Sequence, residues 1–417
     1  MVSKTILDNG IRVISEEIDH VRSVSIGAWV EGGSRHENGL NNGAAHFIEH
    51  MLFKGTDRRS AFDIASAIDS VGGVMNAATG KELTSFYIKI PDYHLELAVD
   101  LLADLFTGSR FDEKDIGREK SVILQEIRMV EDTPDDKIHD FFESLFWRGH
   151  PLGLPILGTK ERIEAFRRDE LLHFFQTRYR GRHLVLTAAG NLKHNRFVDL
   201  VRRSFGSLLG SSVCERIEVP VARPGNDVLW KELEQVHLLI GSPAPSAVSP
   251  ERHAAFLLNS VLGGSMSSRL FQEIRERRGK AYTVGSFLSS YLDAGYVSVF
   301  AGTSAASVHE VVQIISSELA QVRADGLRAE ELQRAKDQRK GNILLGLETS
   351  DSRMSRIAGN EIYFGRDVPL EEVATGIDAV SNADIVRVAA RLFQPASLAL
   401  TILGPVVADG LDEVLRG

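Results

Sequence analysis

A chain of 417 residues is longer than one ordinary hydrophobic core supports, so two domains are expected. Hydrophobic content of 43% and charged content of 25% are those of a globular protein. The net charge of −9, from 57 acids against 48 bases, argues against a nucleic-acid binder, which would carry a basic domain.

The N-terminus, MVSKTILDNGIRVISEE, has no basic region leading into an apolar stretch of signal-peptide length. No run approaches the roughly eighteen apolar residues of a membrane span, so a cytoplasmic protein with no membrane partner is expected. Lys4 to Val30 reads as two strands around the turn Asp8-Asn9-Gly10, with alternation at Ile11, Val13 and then Val24, Ile26, Ala28. After a polar, glycine-rich loop, Ala44 to Phe53 reads as an apolar helix with Asn41 or Asn42 as its N-cap. Ser60 to Val71 is a second helix stopped by Gly72-Gly73. Thr84 to Ile90 is a strand, His94 to Phe106 a helix, and Asp112 caps a helix running to about Val130. Glu131 to Lys160 is helical in its middle, and Leu184 to Ala189 closes the half as a buried strand.

The pattern breaks at Gly210-Ser211-Ser212, Pro220, Pro224 and Gly225, which marks residues 211–227 as a linker between domains at 1–210 and 228–417. The lone cysteine, Cys214, excludes an internal disulfide and any multi-cysteine metal site, and suits a reducing compartment. A similar order then restarts. Val236 to Ile240 and Gly295 to Ala301 read as strands, and Glu251 to Leu262, Ala306 to Arg323 and Ala329 to Leu345 as helices. Sliding the halves by 209 positions sets HFIEHMLFKG beside AFLLNSVLGG, so that His46 falls on Ala255, Glu49 on Leu258 and His50 on Asn259. The expected fold is α+β: two duplicated domains, each a mostly antiparallel sheet covered by helices, the second copy without the polar triplet.

That triplet carries the chemistry. In His46-Phe47-Ile48-Glu49-His50 the two imidazoles sit one helical turn apart on one face and can reach one ion. Glu49 is close enough to touch a metal-bound water without being a ligand. H-x-x-E-H is short enough to arise by chance, and a lone buried histidine is more often a satisfied core residue. Here the surrounding Ala44, Ala45, Phe47, Ile48, Met51, Leu52 and Phe53 bury the helix nearly all round, and three ionisable groups inside it are costly unless a cation compensates them. Zinc is the default for two imidazoles plus a carboxylate. The stripe Ile116, Glu119, Ile123, Glu126, Val130 offers two carboxylates seven residues apart on one face; one would bind metal and the other orient a ligand histidine, and spacing does not rank them.

HFIEH followed some seventy residues later by an acidic helix resembles the inverzincins, the family of pitrilysin and the mitochondrial processing peptidases. GAAHFIEHMLFKGT is similar to that family's signature, and REKSVILQEI to its third-ligand segment. The resemblance implies one zinc per chain on His46, His50 and Glu126, with Glu119 behind them and Glu49 activating the water. NAATGKELTSFYIKI resembles the family's edge strand, which implies that Asn76 and Ala77 hold substrate. SSRLFQEIRERRGKAY resembles its substrate-positioning segment, which assigns that role to Arg275 and Tyr282; without the resemblance Arg275 reads as one of several solvated bases.

The implied activity is a zinc metalloendopeptidase. It would take extended or unfolded peptides as a strand added beside Thr84 to Ile90, with affinity from main-chain hydrogen bonds. Arg275 and Tyr282 would stabilise the oxyanion. The family's chamber uses four such domains, so a homodimer is the economical assembly. The alternatives are a non-catalytic partner subunit of the same fold, against which the complete metal set stands, and a metal-dependent hydrolase of non-peptide substrates. For the latter, Gly263-Gly264-Ser265 follows a helix and makes a weak phosphate cradle.

Overall fold

The computed structural model describes residues 2–210, 218–407, 410, 411 and 415. Cys214 and residues 211–217 of the expected linker lie outside them. In chain order the elements begin with strands β1 Val2–Ile6, β2 Arg12–Glu17 and β3 Ser23–Val30, then helices α1 Ala44–Leu52 and α2 Ala61–Asp69. Strands β4 Val74–Thr79 and β5 Thr84–Pro91 precede α3 Leu95–Gly108, α4 Glu113–Asp132, α5 Pro134–Phe146, α6 Lys160–Ala165 and α7 Arg168–Arg178. β6 Leu184–Gly190 and α8 His194–Phe205 complete the first half. The second half runs β7 Asn226–Leu229, β8 Val236–Pro243, α9 Arg252–Leu262, β9 Ala281–Ser290 and β10 Gly295–Thr303. It continues with α10 Val308–Asp325, α11 Ala329–Gly346, α12 Ser350–Phe364, α13 Leu370–Asp378, α14 Asn382–Leu392 and β11 Ala399–Leu403. β7 thus begins inside the stretch expected to be linker. The N-terminal stretch expected to hold two strands holds three, because the chain turns again between Glu17 and Ser23.

Two compact units result. The first gathers Met1–Met129, Leu154–Glu218 and Leu345–Asp367; the second gathers Val130–Gly153, Val219–Leu344 and Val368–Gly417. The first unit's sheet has the order β1-β2-β6-β3-β5-β4, the second's β7-β11-β8-β10-β9. Setting β1 aside, the two are the same motif. In each, the first strand pairs parallel with the last, and the remaining neighbours are antiparallel. The duplication is therefore written in topology as well as in the aligned helix.

Alternation along the strands sends Val24, Ile26, Ala28 and Val30 of β3 and Phe86, Ile88 and Ile90 of β5 into one large core, together with Ala44, Phe47, Ile48 and Leu52 of α1. The opposite face of that sheet is covered by α12, whose Met354 and Ile357 pack on Ile14, Val185 and Ala189. Polar contacts pin it there: Lys4 to Glu361 at 2.6 Å, Arg353 to Glu16 at 2.6 Å, and Ser25 to Asp351 at 2.8 Å. In the second unit α5 does the same, laying Ile138, Phe142 and Phe146 on Leu239, Tyr296, Ala399 and Leu403. Each half of the chain therefore supplies the helix that covers the back of the other half's sheet. This corrects the simple division at 1–210 and 228–417: residues 130–153 and 345–367 change sides because their apolar faces are buried against the other sheet.

A second correction concerns the edge of the first sheet. β5 pairs with β3 on one side and β4 on the other, so Thr84 to Ile90 is interior and its main-chain groups are taken. The outer strand is β4, Val74–Thr79, which carries Asn76 and Ala77.

Candidate metal centre

α1 is built to carry polar groups in an apolar setting. Ala44, Ala45, Phe47, Ile48, Met51 and Leu52 are buried, which fixes the helix and turns His46, Glu49 and His50 toward one side. The expected asparagine cap is not found. Gly43 is the N-cap, left-handed at φ 92°, and no side chain of its own caps the helix. The cap comes from Glu37, whose carboxylate accepts from the N–H of Gly43 at 2.8 Å and of Ala45 at 2.7 Å. Asn42 serves as a donor to Glu37 at 3.0 Å, so its amide is turned away from the capping role.

α4 brings both carboxylates of its stripe to the two histidines. Glu126 Oε2 lies 3.6 Å from His46 Nε2 and 3.7 Å from His50 Nε2. One ligand atom from each of these three residues falls within 4.8 Å of the other two. Glu119 reaches His50 from behind, its Oε2 3.0 Å from Nδ1, while its other oxygen meets Lys54 Nζ at 2.8 Å. The geometry thus separates two residues that spacing left equivalent. Lys54, which spacing alone does not mark, lies in the turn just past the end of α1.

Charge states follow from these contacts. Burial, with the charge of His50 nearby, pushes His46 down to about 3, so its ring is neutral and Nε2 can offer a lone pair. Its Nδ1 is buried without a hydrogen-bond partner among the described residues. For His50, burial pulls downward, but the Glu119 hydrogen bond and the charges of Glu126, Glu119 and Glu49 outweigh it, and the net shift is upward. Glu119 is held below the usual carboxylate range; burial opposes this, but the hydrogen bonds from His50 and Lys54 prevail. Burial raises Glu49, against a hydrogen bond from the Thr79 hydroxyl at the end of β4. Two imidazole nitrogens and a carboxylate oxygen in mutual reach, with a second carboxylate orienting one imidazole from behind, fit the donor set of an open zinc site.

The second unit holds the other predicted pair. Arg275 lies in a π-helical turn, Phe271–Arg277, with its guanidinium 4.6 Å from the Tyr282 ring and 4.9 Å from Phe271. π-Turns are rare and recur at functional sites. Phe271 escaped the sequence reading because a lone aromatic on a helix reads as core. In α9, at the place α1 occupies in the first unit, Ala255 and Leu258 are buried apolar side chains and Asn259 is the only polar member of the triplet. This copy cannot bind zinc in the same way.

Two family models match the chain. Residues 12–160 match the family described as insulinase (peptidase family M16), and residues 165–339 match the peptidase M16 inactive domain. The chain is 39% identical over 405 residues to a Bacillus subtilis protein named as an uncharacterised zinc protease, YmxG, covering 97% of this chain and 98% of that one. It is 40% identical over 415 residues to a Streptomyces coelicolor protein also named as an uncharacterised zinc protease, covering 97% and 90%. Among solved structures it superposes on a protease from Helicobacter pylori with a TM-score of 0.90 at 21% identity, covering 97% of this chain and 99% of that one. A Pseudomonas fluorescens peptidase M16 inactive domain gives a TM-score of 0.91 at 18% identity, over 97% and 98%. On these matches, with close relatives of about 40% identity over nearly the whole chain, this chain belongs to the insulinase family, peptidase family M16.

Proposed function

We propose that this protein is a zinc-dependent endopeptidase that cleaves extended or unfolded peptides. The observation that carries the reading is the convergence of His46 Nε2, His50 Nε2 and Glu126 Oε2, with Glu49 on the same helix. These three residues would hold one zinc ion, which when bound acts as a Lewis acid toward water and the scissile carbonyl. Glu49 is the proton carrier: its carboxylate takes a proton from the attacking water and returns it to the leaving amine. The buried surroundings that raise Glu49 suit that double role. Thr79 holds one Glu49 oxygen, which leaves the other to face the reaction.

Peptide would add to β4, whose side away from β5 has no partner strand among the described residues. Asn76 and Ala77 lie on that strand. Arg275 and Tyr282 would position the substrate carbonyl and stabilise the oxyanion, the stacking of the guanidinium between two rings limiting its rotamers. A homodimer with both active sites complete is the assembly this reading favours. No helix among the described residues is long and apolar enough to cross a membrane. The test is a digest of an unstructured peptide library with and without chelator, read by mass spectrometry. Internal cleavage that stops on chelation and returns with zinc is expected; chelator-insensitive cleavage, or none, overturns the reading.

A further inference from the structure

Glu37 is among the most buried acids in the protein, with 3% of its surface exposed. Its carboxylate faces only donors: the N–H groups of Gly43 and Ala45, and the amide of Asn42. Two of the N–H groups that every helix leaves without an internal partner at its start are satisfied by this one side chain. Asn42 Nδ2 also donates to Pro155 O at 2.9 Å, tying the 154–158 loop to the same point. Gly43 leaves no room for a substitute cap, since a Cβ there would stand 2.9 Å from Gly158 Cα.

The segment that bears Glu37 is itself fixed to the turn leaving β4. Ser34 N–H donates to Gly80 O at 3.2 Å and Arg35 N–H to Lys81 O at 2.6 Å, while the Arg35 guanidinium meets Glu82 at 2.6 Å. Burial pushes the Glu37 carboxyl up to about 7 against the pull of its three donors and of Lys81. Retaining an acid at such a cost implies that its acceptor-only chemistry is used.

We propose that Glu37 is a positioning residue, whose carboxylate fixes the start of α1, and with it His46, Glu49 and His50, against the turn that ends the β4 edge strand. The inference rests on the metallopeptidase reading of those three residues. Glutamine at this position would turn an amide toward donors on one side of the site. Aspartate would keep the acceptor chemistry but fall one methylene short of the helix.

The test compares E37Q and E37D with the unaltered chain. It measures the zinc dissociation constant by competition with a chromophoric chelator, kcat and KM on a cleaved library peptide, and near-ultraviolet circular dichroism for the fold. Folded variants are expected to bind zinc about tenfold more weakly and to lose about tenfold in kcat, with KM changed less than about twofold and E37D affected less than E37Q. Should E37Q not fold, E37D decides the matter. Folded variants with wild-type zinc affinity and kcat overturn the proposal. So does failure of both to fold, which would make Glu37 a general folding residue. Absence of zinc binding or cleavage by the unaltered chain would instead remove the peptidase reading, so the two failures are told apart by the wild-type arm.

Discussion

Glu119 and Glu126 share a helix, a charge and a neighbour, yet they meet different nitrogens of His50. Glu126 stands beside Nε2, on the side shared with His46, and Glu119 beside Nδ1. In the proposed site, removing charge at Glu126 would delete a ligand, whereas removing it at Glu119 would loosen an orienting bond, which costs about 10–100-fold in affinity or activity elsewhere. E126Q is therefore expected to release zinc to a chelator well before E119Q does; the opposite order would exchange their roles. E49Q should hold a full complement of zinc and lose about 10²–10⁴ in kcat, the usual share of a general acid–base group. Loss of zinc in that variant would make Glu49 a ligand. At this scale the sequence was legible where ionisable groups sat in an apolar helix. It was silent on Glu37, two of whose three partners are main-chain N–H groups that no side-chain pattern reveals; the local pattern pointed to Asn41 or Asn42 instead.

Elements were legible where apolar periodicity was strong. TSFYIKI declares a strand, but position in the sheet depends on partners, and the weaker VMNAAT lies outside it. Alanine and asparagine in β4 carry little strand preference, so the edge passed unnoticed beside its better-formed neighbour. The seating of α5 on β8 is equally invisible in sequence, and it depends on a single absent side chain. A Cβ at Gly241 would stand 2.4 Å from Phe142 Cζ, closer than any contact allows. Replacing glycine by alanine in a strand is worth about 0.5–1 kcal/mol in its favour. Overpacking a core costs about 1–3 kcal/mol, so the clash should win. G241A is expected to lower the urea midpoint, and F142L to recover part of the loss when combined with it. An unchanged midpoint would mean that the ring moves aside freely.

At the scale of the molecule, the exchange of α5 and α12 sets how the chain can be divided. The sequence marks a break near residues 211–227, and a fragment of residues 1–210 would contain the whole metal site. It would also lack α12, leaving Ile14, Val185 and Ala189 exposed on the back of the sheet and Lys4 and Glu16 without their partners. Burying a large apolar side chain contributes about 1.5–3 kcal/mol. Loss of Met354 and Ile357 alone thus removes several kcal/mol from a net stability of about 5–15 kcal/mol. The fragment is expected to aggregate or to melt far below the intact protein when expressed alone. Co-expressed with residues 218–417, which supply α12 and lack only α5, it should be recovered as a soluble pair that binds zinc. Calorimetry of the intact chain should accordingly give one cooperative transition in place of two. A soluble 1–210 fragment with a Tm within a few degrees of the full chain would show that the covering helix adds little, and that each half carries its stability within its own segment.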